Sequence, residues 1–232
     1  MSRNKMARFA ANKERKNVIE PGKEIFENIK GEWHKKFFEN KNPITLELAC
    51  GRGEYTVGLA RLFPEQNFIG IDIKGDRIWK GSGIAIEEGL DNACFLRTHI
   101  IELANFFEKG EVSEIWITFP DPRPKDRDEK RRITHPRFLD IYKSVVKNDA
   151  VIRLKTDNTG LFEYTLEELK KRTDIKDLEF TFDLYHSPLK PECHDIRTRF
   201  EQKFNELGHD IKYLRFSFKD STSETNIDSP SS

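Results

Sequence analysis

The chain has 232 residues, enough to bury the core of one α/β-sized domain, and its 40 basic residues are matched by 40 acidic ones. That balance excludes a uniform field around the whole protein, so the distribution of charge carries more information than its sum. Three widely spaced cysteines (Cys50, Cys94 and Cys193) suit a reducing compartment better than a disulfide framework, and none forms a zinc-ligand pair, so no metal site is expected.

Residues 1–16 set Arg3, Lys5, Arg8, Lys13, Arg15 and Lys16 against Glu14 alone, a net charge of +5. The expectation is a basic flexible arm over 1–18, a single domain over 19–218 and a disordered, Ser/Thr-rich tail over 219–232. Ile25, Ile29, Trp33 and Phe37 recur at spacing four, which predicts a helix within 21–40 that stops at Asn42-Pro43. Candidate strands follow at 44–48, 67–73, 93–97, 114–119, 150–155, 180–185 and 211–218. They alternate with candidate helices at 54–63, 75–89, 100–108, 136–147, 158–172 and 196–207. Five successive strand–helix steps predict an α/β fold with a parallel sheet covered on both faces. The last two of the seven strands enclose a polar stretch and are expected to form an antiparallel edge. No apolar run approaches the ~18 residues of a membrane span, and the first residues lack a secretory apolar core, so a cytoplasmic protein is expected.

The first strand–helix turn reads TLELACGRGEYTVGLA. Gly51 and Gly53 stand where glycine lets the backbone turn tightly and approach a ligand. A dinucleotide fingerprint would place a third glycine at position 56, which here is Thr56, so a nicotinamide cofactor loses ground. Glu47, inside the end of the strand, would repel a pyrophosphate and suits a ligand carrying an ammonium or sulfonium. Asp72, closing NFIGIDI, can accept from both hydroxyls of a ribose. Together these positions resemble the class I methyltransferase pattern, which implies S-adenosylmethionine as cofactor. That pattern usually has glycine where this chain has Ala49. The next strand ends in His99, where methyltransferases often keep an acid or amide beside the adenine; capping of the following helix is the other reading.

Ligands of open α/β sheets sit outside the carboxyl ends of the strands. The stretch FPDPRPKDRDEKRR places Asp121 at that edge, between Pro120 and Pro122, which bias Phe119 and Asp121 away from helix. IRLKTDN adds Thr156 and Asp157 to the rim, although a helix opening at Asn158 also makes Asp157 a cap neighbour. The charge run from Lys125 to Arg132 suits either a solvated helix start or phosphate contacts. Thr198 and Glu201 have the spacing of a capping box.

FPDPRPKDRDEKRR, IRLKTDN and IRTRFEQKFNELGHDI resemble, in order, the signature segments of tRNA (guanine-N7-)-methyltransferases. The resemblance runs from about residue 20 to 218 and implies a class I methyltransferase (Rossmann-like) sheet. It also implies tRNA as partner and 7-methylguanosine in the variable loop, at guanine 46, as product. Carried over position by position, it implies that Glu47, Gly51, Gly53, Asp72, His99 and Asp121 border the cofactor, with Asp121 also catalytic. Lys125, Asp157, Thr198, Arg199, Phe200 and Glu201 would face the tRNA guanine. Asp157 or Glu201 would accept from the N1/N2 edge, and Lys125 would meet O6 or a phosphate. The family frequently has tryptophan where this chain has Arg123, and often histidine where it has Asp128. A class I enzyme acting on a small molecule or protein would keep Glu47 and Asp72 but has no use for the basic arm. A non-catalytic RNA-binding relative is the other alternative. A monomer and a homo-oligomer are equally compatible with the sequence.

Overall fold

In a computed structural model the described residues are 3–220; the polar tail lies outside them from residue 221 onward. The elements in chain order are α1 (Arg3–Glu14), β1 (Val18–Ile19), α2 (Glu24–Glu27), α3 (Trp33–Lys36), β2 (Ile44–Leu48), α4 (Glu54–Leu62), β3 (Asn67–Ile71), α5 (Gly75–Glu87), β4 (Ala93–Leu96) and α6 (Leu103–Phe106). The second half adds β5 (Val112–Thr118), α7 (Pro136–Val145), β6 (Val146–Thr156), α8 (Thr159–Lys171), β7 (Ile175–Thr181), α9 (Arg199–Glu206) and β8 (Lys212–Phe218).

One eight-stranded sheet holds these strands in the order β1-β4-β3-β2-β5-β6-β8-β7. The first six in that order run parallel, while β8 is antiparallel to both β6 and β7. Strand residues alternate between two apolar clusters, with Ile115 and Ile117 in one and Trp116 in the other, as a sheet buried on both faces requires. The chain winds outward from β2 through β3 and β4, then returns to β5 and β6 on its other side. The crevice at the carboxyl ends of β2 and β5 is therefore the topological switch point, where such sheets take their ligands. No helix among the described residues is long and apolar enough to cross a membrane.

The eighth strand is β1, whose two residues are too short to leave a periodic signal; it pairs with β4 through Val18 and Ile19. The helix expected within 21–40 divides into α2 and α3, separated by Gly31 at φ 70°. Its apolar stripe still packs: Trp33 is fully buried, stacks on Phe107 at 5.2 Å and donates its Nε1–H to the Phe106 carbonyl at 2.8 Å. The strand expected at 180–185 lies earlier, over Ile175–Thr181.

Residues 1–18 differ most from expectation. From Arg3 the chain is a helix packed on α5 rather than a free arm. Buried Asn12 donates to the Gly75 carbonyl at 2.7 Å, and Arg15 donates to Ser82 Oγ at 2.7 Å and to the Trp79 carbonyl. Arg8 and Arg15 lie over the Trp79 ring at 5.1 and 5.3 Å. The Lys23 ammonium donates to the carbonyls of Asn12, Arg15 and Val18 at 2.9, 2.7 and 2.6 Å, closing the carboxyl end of α1. Burial lowers the Lys23 pKa, opposed by nearby Glu20. Part of the basic charge thus serves docking. Asn12→Ala strands the Gly75 carbonyl and should cost about 1–3 kcal/mol. Urea unfolding measures that cost, and limited proteolysis should show faster cleavage near residue 16.

Candidate active site

Leaving β2, the chain enters the left-handed region at Ala49, Gly51 and Gly53, with φ of 55°, 56° and 68°. The two glycines serve different ends. A Cβ on Gly53 would sit 2.3 Å from the Phe95 ring, so that position is dictated by packing. A Cβ on Gly51 would have only the Ala49 carbonyl, at 4.0 Å, near it, so open space lies above that residue. Ala49 adopts a conformation that costs a non-glycine residue roughly 1–2 kcal/mol.

Gly53 is the N-cap of α4 and has no side chain to satisfy the helix's first amides. Glu47 reaches across from β2 to do so. Its Oε2 accepts from the Thr56 amide at 2.8 Å and the Thr56 hydroxyl at 2.5 Å, and its Oε1 accepts from the Thr118 hydroxyl at 3.1 Å. Thr56, the departure from a dinucleotide fingerprint, is therefore one of the ligands of this acid. Glu47 is 3% exposed, and burial pushes its carboxyl up to about 7 despite those hydrogen bonds. Asp72 braces the same turn: Oδ2 accepts from the Gly51 amide at 3.0 Å and Oδ1 from the Lys74 amide at 2.8 Å.

In front of this turn lies a cleft of about 880 Å3, lined among others by Ala49, Asp72, His99, Phe119, Asp121, Asp157, Phe200 and Phe204. The structure thus brings Asp72, His99, Asp121, Asp157 and Phe200 to one space. Glu47, Gly51, Gly53, Lys125, Thr198, Arg199 and Glu201 are absent from its lining. His99 opens the short helical turn at Ile100–Glu102 without capping it through its side chain, so the ring is left to the cleft. Phe119 stands in the left-handed region at φ 47° directly before Pro120, where extended backbone is the rule, and its amide donates to the Lys155 carbonyl at 2.8 Å. Asp121 follows with its side chain 61% exposed and is met by Arg123: Nε to Oδ2 at 3.1 Å, and the Arg123 amide to Oδ1 at 3.3 Å. The arginine at the position where an aromatic ring was the alternative therefore forms an ion pair with the rim carboxylate.

The two remaining carboxylates have opposite fates. Asn158, not Asp157, caps α8, accepting from the Leu161 amide at 2.8 Å. The Asp157 carboxylate has no hydrogen-bond or ion-pair partner among the described residues and lines the cleft. Glu201 is fully buried, 2.6 Å from the Lys155 ammonium, and accepts from the Tyr185 hydroxyl at 2.6 Å. It also closes the capping box with Thr198, through bonds of 3.1 and 3.3 Å. Three of its acceptor sites are thus taken within the protein and it is absent from the cleft lining, whereas Asp157, the other candidate for the base edge, lines the cleft. Its neighbour Phe200 does face outward, 55% exposed, with its ring stacked on Phe204 at 6.5 Å.

Lys74, Arg77, Arg131 and Arg137 also line the cleft, giving it a cationic border. Arg131 belongs to the charge run already noted in the sequence; the other three, like Phe204 and Lys155, carry no local pattern. Only α5, α7, α9 and β6 arriving at one crevice reveals them.

Glu47 supplies a pH test. Its folded pKa lies above its ordinary value, so the folded state holds the extra proton between about pH 4.5 and 7. Its contribution to stability is whole below that window and is lost as pH rises through about 7. Glu47→Gln should therefore unfold with less pH dependence than the wild type. Urea unfolding at pH 5 and pH 8 should show a difference growing in favour of the variant by at most about 3 kcal/mol.

The comparisons with known proteins agree with this geometry. A family model described as "Putative methyltransferase" matches residues 41–214. A tRNA (guanine-N(7)-)-methyltransferase of Cytophaga hutchinsonii is 50% identical over 94% of this chain and 99% of its own length. Those of Christiangramia forsetii and Bacteroides fragilis are 47% and 43% identical, over 94% and 93% of this chain and 99% and 86% of theirs. Among solved structures, the 16S rRNA methyltransferase KamB superposes with a TM-score of 0.59 at 13% identity, covering 80% of this chain and 92% of its own. An S-adenosylmethionine-dependent O-methyltransferase of Thermotoga maritima gives 0.55 at 13% identity, covering 86% and 64%, so both show the fold alone. With the glycine turn, the switch-point cleft and relatives that match nearly end to end, the chain belongs to the tRNA (guanine-N7-)-methyltransferase family.

Proposed function

We propose that this chain methylates N7 of guanine 46 in the variable loop of tRNA, in the cytoplasm, using S-adenosylmethionine. The observation that carries this reading is a switch-point cleft holding one unpartnered carboxylate, Asp157, beside a second, Asp121, within a cationic border.

The residues present fit the cofactor. The open space above Gly51 leaves room for a ligand against the turn, and Asp72 at the end of β3 suits a ribose. Glu47, immediately behind the turn, stands near the middle of its titration at neutral pH, and a cationic ligand in front of the turn would favour its charged form. His99 on the cleft wall suits the adenine. When bound, S-adenosylmethionine supplies an electrophilic methyl group on a positively charged sulfur.

Guanine N7 keeps a lone pair in the neutral base, so no residue is needed to remove a proton first. The protein's task is to hold the base in line, for which orientation is worth roughly 7–11 kcal/mol at best. Asp157 accepts from the N1–H and exocyclic N–H edge, and Phe200 offers a ring for stacking. The product base is cationic, so the Asp121 carboxylate stabilises charge that develops during transfer. Arg123 must yield some of its hold on Asp121 as that charge appears. Lys125, outside the cleft lining, is assigned to the tRNA backbone together with Lys130 and Lys13, the α1 lysine that takes no part in docking.

Purified protein incubated with methyl-labelled S-adenosylmethionine and an unmodified tRNA transcript should place label in 7-methylguanosine, and none when guanine 46 is replaced by adenosine. Label in any other nucleoside contradicts the reading. Asp121→Ala should lower transfer about 100-fold or more with cofactor affinity nearly unchanged; near-normal turnover would remove Asp121 from the chemistry.

A further inference from the structure

A second concavity, of about 470 Å3, draws on two of the same chain segments as the first. Ala49 lines the cleft while Arg52 and Gly53, on the same turn, line this cavity; Phe200 lines the cleft while Ile196 and Arg197, just before it in the chain, line this cavity. No part of the proposed transfer chemistry uses it.

Its charge is one-sided. Arg52 from the turn, Lys80 from α5 and Arg197 from the segment before α9 converge on it, and none has a carboxylate partner among the described residues. Arg61 also lines it but is held by Glu88 through two bonds of 2.6 Å. Glu54 is the one acid in the lining. The three elements are brought together tightly: a Cβ on Gly81 would lie 2.4 Å from the Arg52 carbonyl, and one on Gly58 would lie 3.0 Å from the Ile196 side chain. Close packing thus gathers like charges from three separate stretches of a chain whose formal net charge is zero. Exposed like charges around one concavity raise its positive potential and favour an anion there. Val57, Ile84 and Ile196 give the cavity an apolar floor beneath that basic rim, a combination suited to ribose below and phosphate above.

We propose that this cavity is a second tRNA subsite, in which Arg52, Lys80 and Arg197 hold the sugar-phosphate backbone away from the nucleotide being methylated. The proposal rests on tRNA being the substrate. An RNA strand is favoured over a small free anion because residues 49–53 and 196–200 contribute to both concavities, a separation that a polymer can bridge. Contacts here add affinity and fix the register of the RNA, and leave the transfer step itself unchanged.

Lys80→Glu and Arg197→Glu, singly and combined, test it by tRNA binding across a salt series, with cofactor affinity and turnover at saturating tRNA measured in parallel. Each should lower the slope of log affinity against log salt by about one, and the pair by about two. The KM for tRNA should rise, kcat at saturation should hold and cofactor affinity should be unchanged. Lys80→Gln should fall between wild type and Lys80→Glu. Arg197 lies over the Tyr185 ring at 5.0 Å, so if its variant folds poorly the Lys80 series decides alone. Unchanged tRNA affinity and slope in a Lys80→Glu protein that still binds cofactor overturns the subsite. A wild-type protein that does not bind tRNA would overturn the functional reading instead.

Discussion

The ammonium of Lys155 and the carboxylate of Glu201 meet at 2.6 Å where neither is exposed to water. Removing two ions from water costs several kcal/mol each, and the attraction between them offsets this only when the remaining hydrogen-bonding capacity is also satisfied. Here most of it is: the Lys155 ammonium donates to the Tyr55 hydroxyl at 3.0 Å, Tyr185 donates to Glu201, and the capping box uses the other carboxylate oxygen. The pair ties the end of β6 to the start of α9. Asp157 lies two residues beyond Lys155, and Phe200 immediately precedes Glu201. The carboxylate and the ring proposed to grip the guanine are thus fixed by a contact that never touches it.

On the cofactor side the same economy recurs. Glu47 stabilises the first turn of α4 in place of a cap that glycine cannot provide, and does so while buried deeply enough to sit near neutrality in its titration. The strain at Ala49 and Phe119, both in the left-handed region, lies on the two strand ends that frame the switch point. Acids (Asp72, Asp121, Asp157) and cations (Lys74, Arg77, Arg131, Arg137) then share one cleft in a chain with no net charge. A cationic cofactor and a polyanionic substrate ask for that division.

Much of this is legible in the amino-acid sequence. Alternating strand and helix signals placed the parallel sheet, and glycine spacing placed the turn. The proline-flanked Asp121 was placed at the correct edge because local signals suffice to end a strand. What stayed hidden was whatever depends on contacts distant in sequence. The Thr198–Glu201 spacing announces a capping box, but nothing in it reveals that Lys155 lies against the same carboxylate. Arg123 gave no sign of pairing with Asp121. The basic residues of 1–16 read as solvated because their partners on α5 are remote in the sequence, and β1 is too short for any periodicity.

The central claim is a division of labour: Glu201 holds the site together and Asp157 reads the base. Asp157→Asn and Glu201→Gln, compared for urea stability and for kcat/KM on tRNA, test it most directly. The account predicts that Asp157→Asn keeps wild-type stability and loses transfer, whereas Glu201→Gln loses stability as Lys155→Met does, by about 3–5 kcal/mol for an uncompensated buried charge. A stable but inactive Glu201→Gln beside an active Asp157→Asn would contradict it.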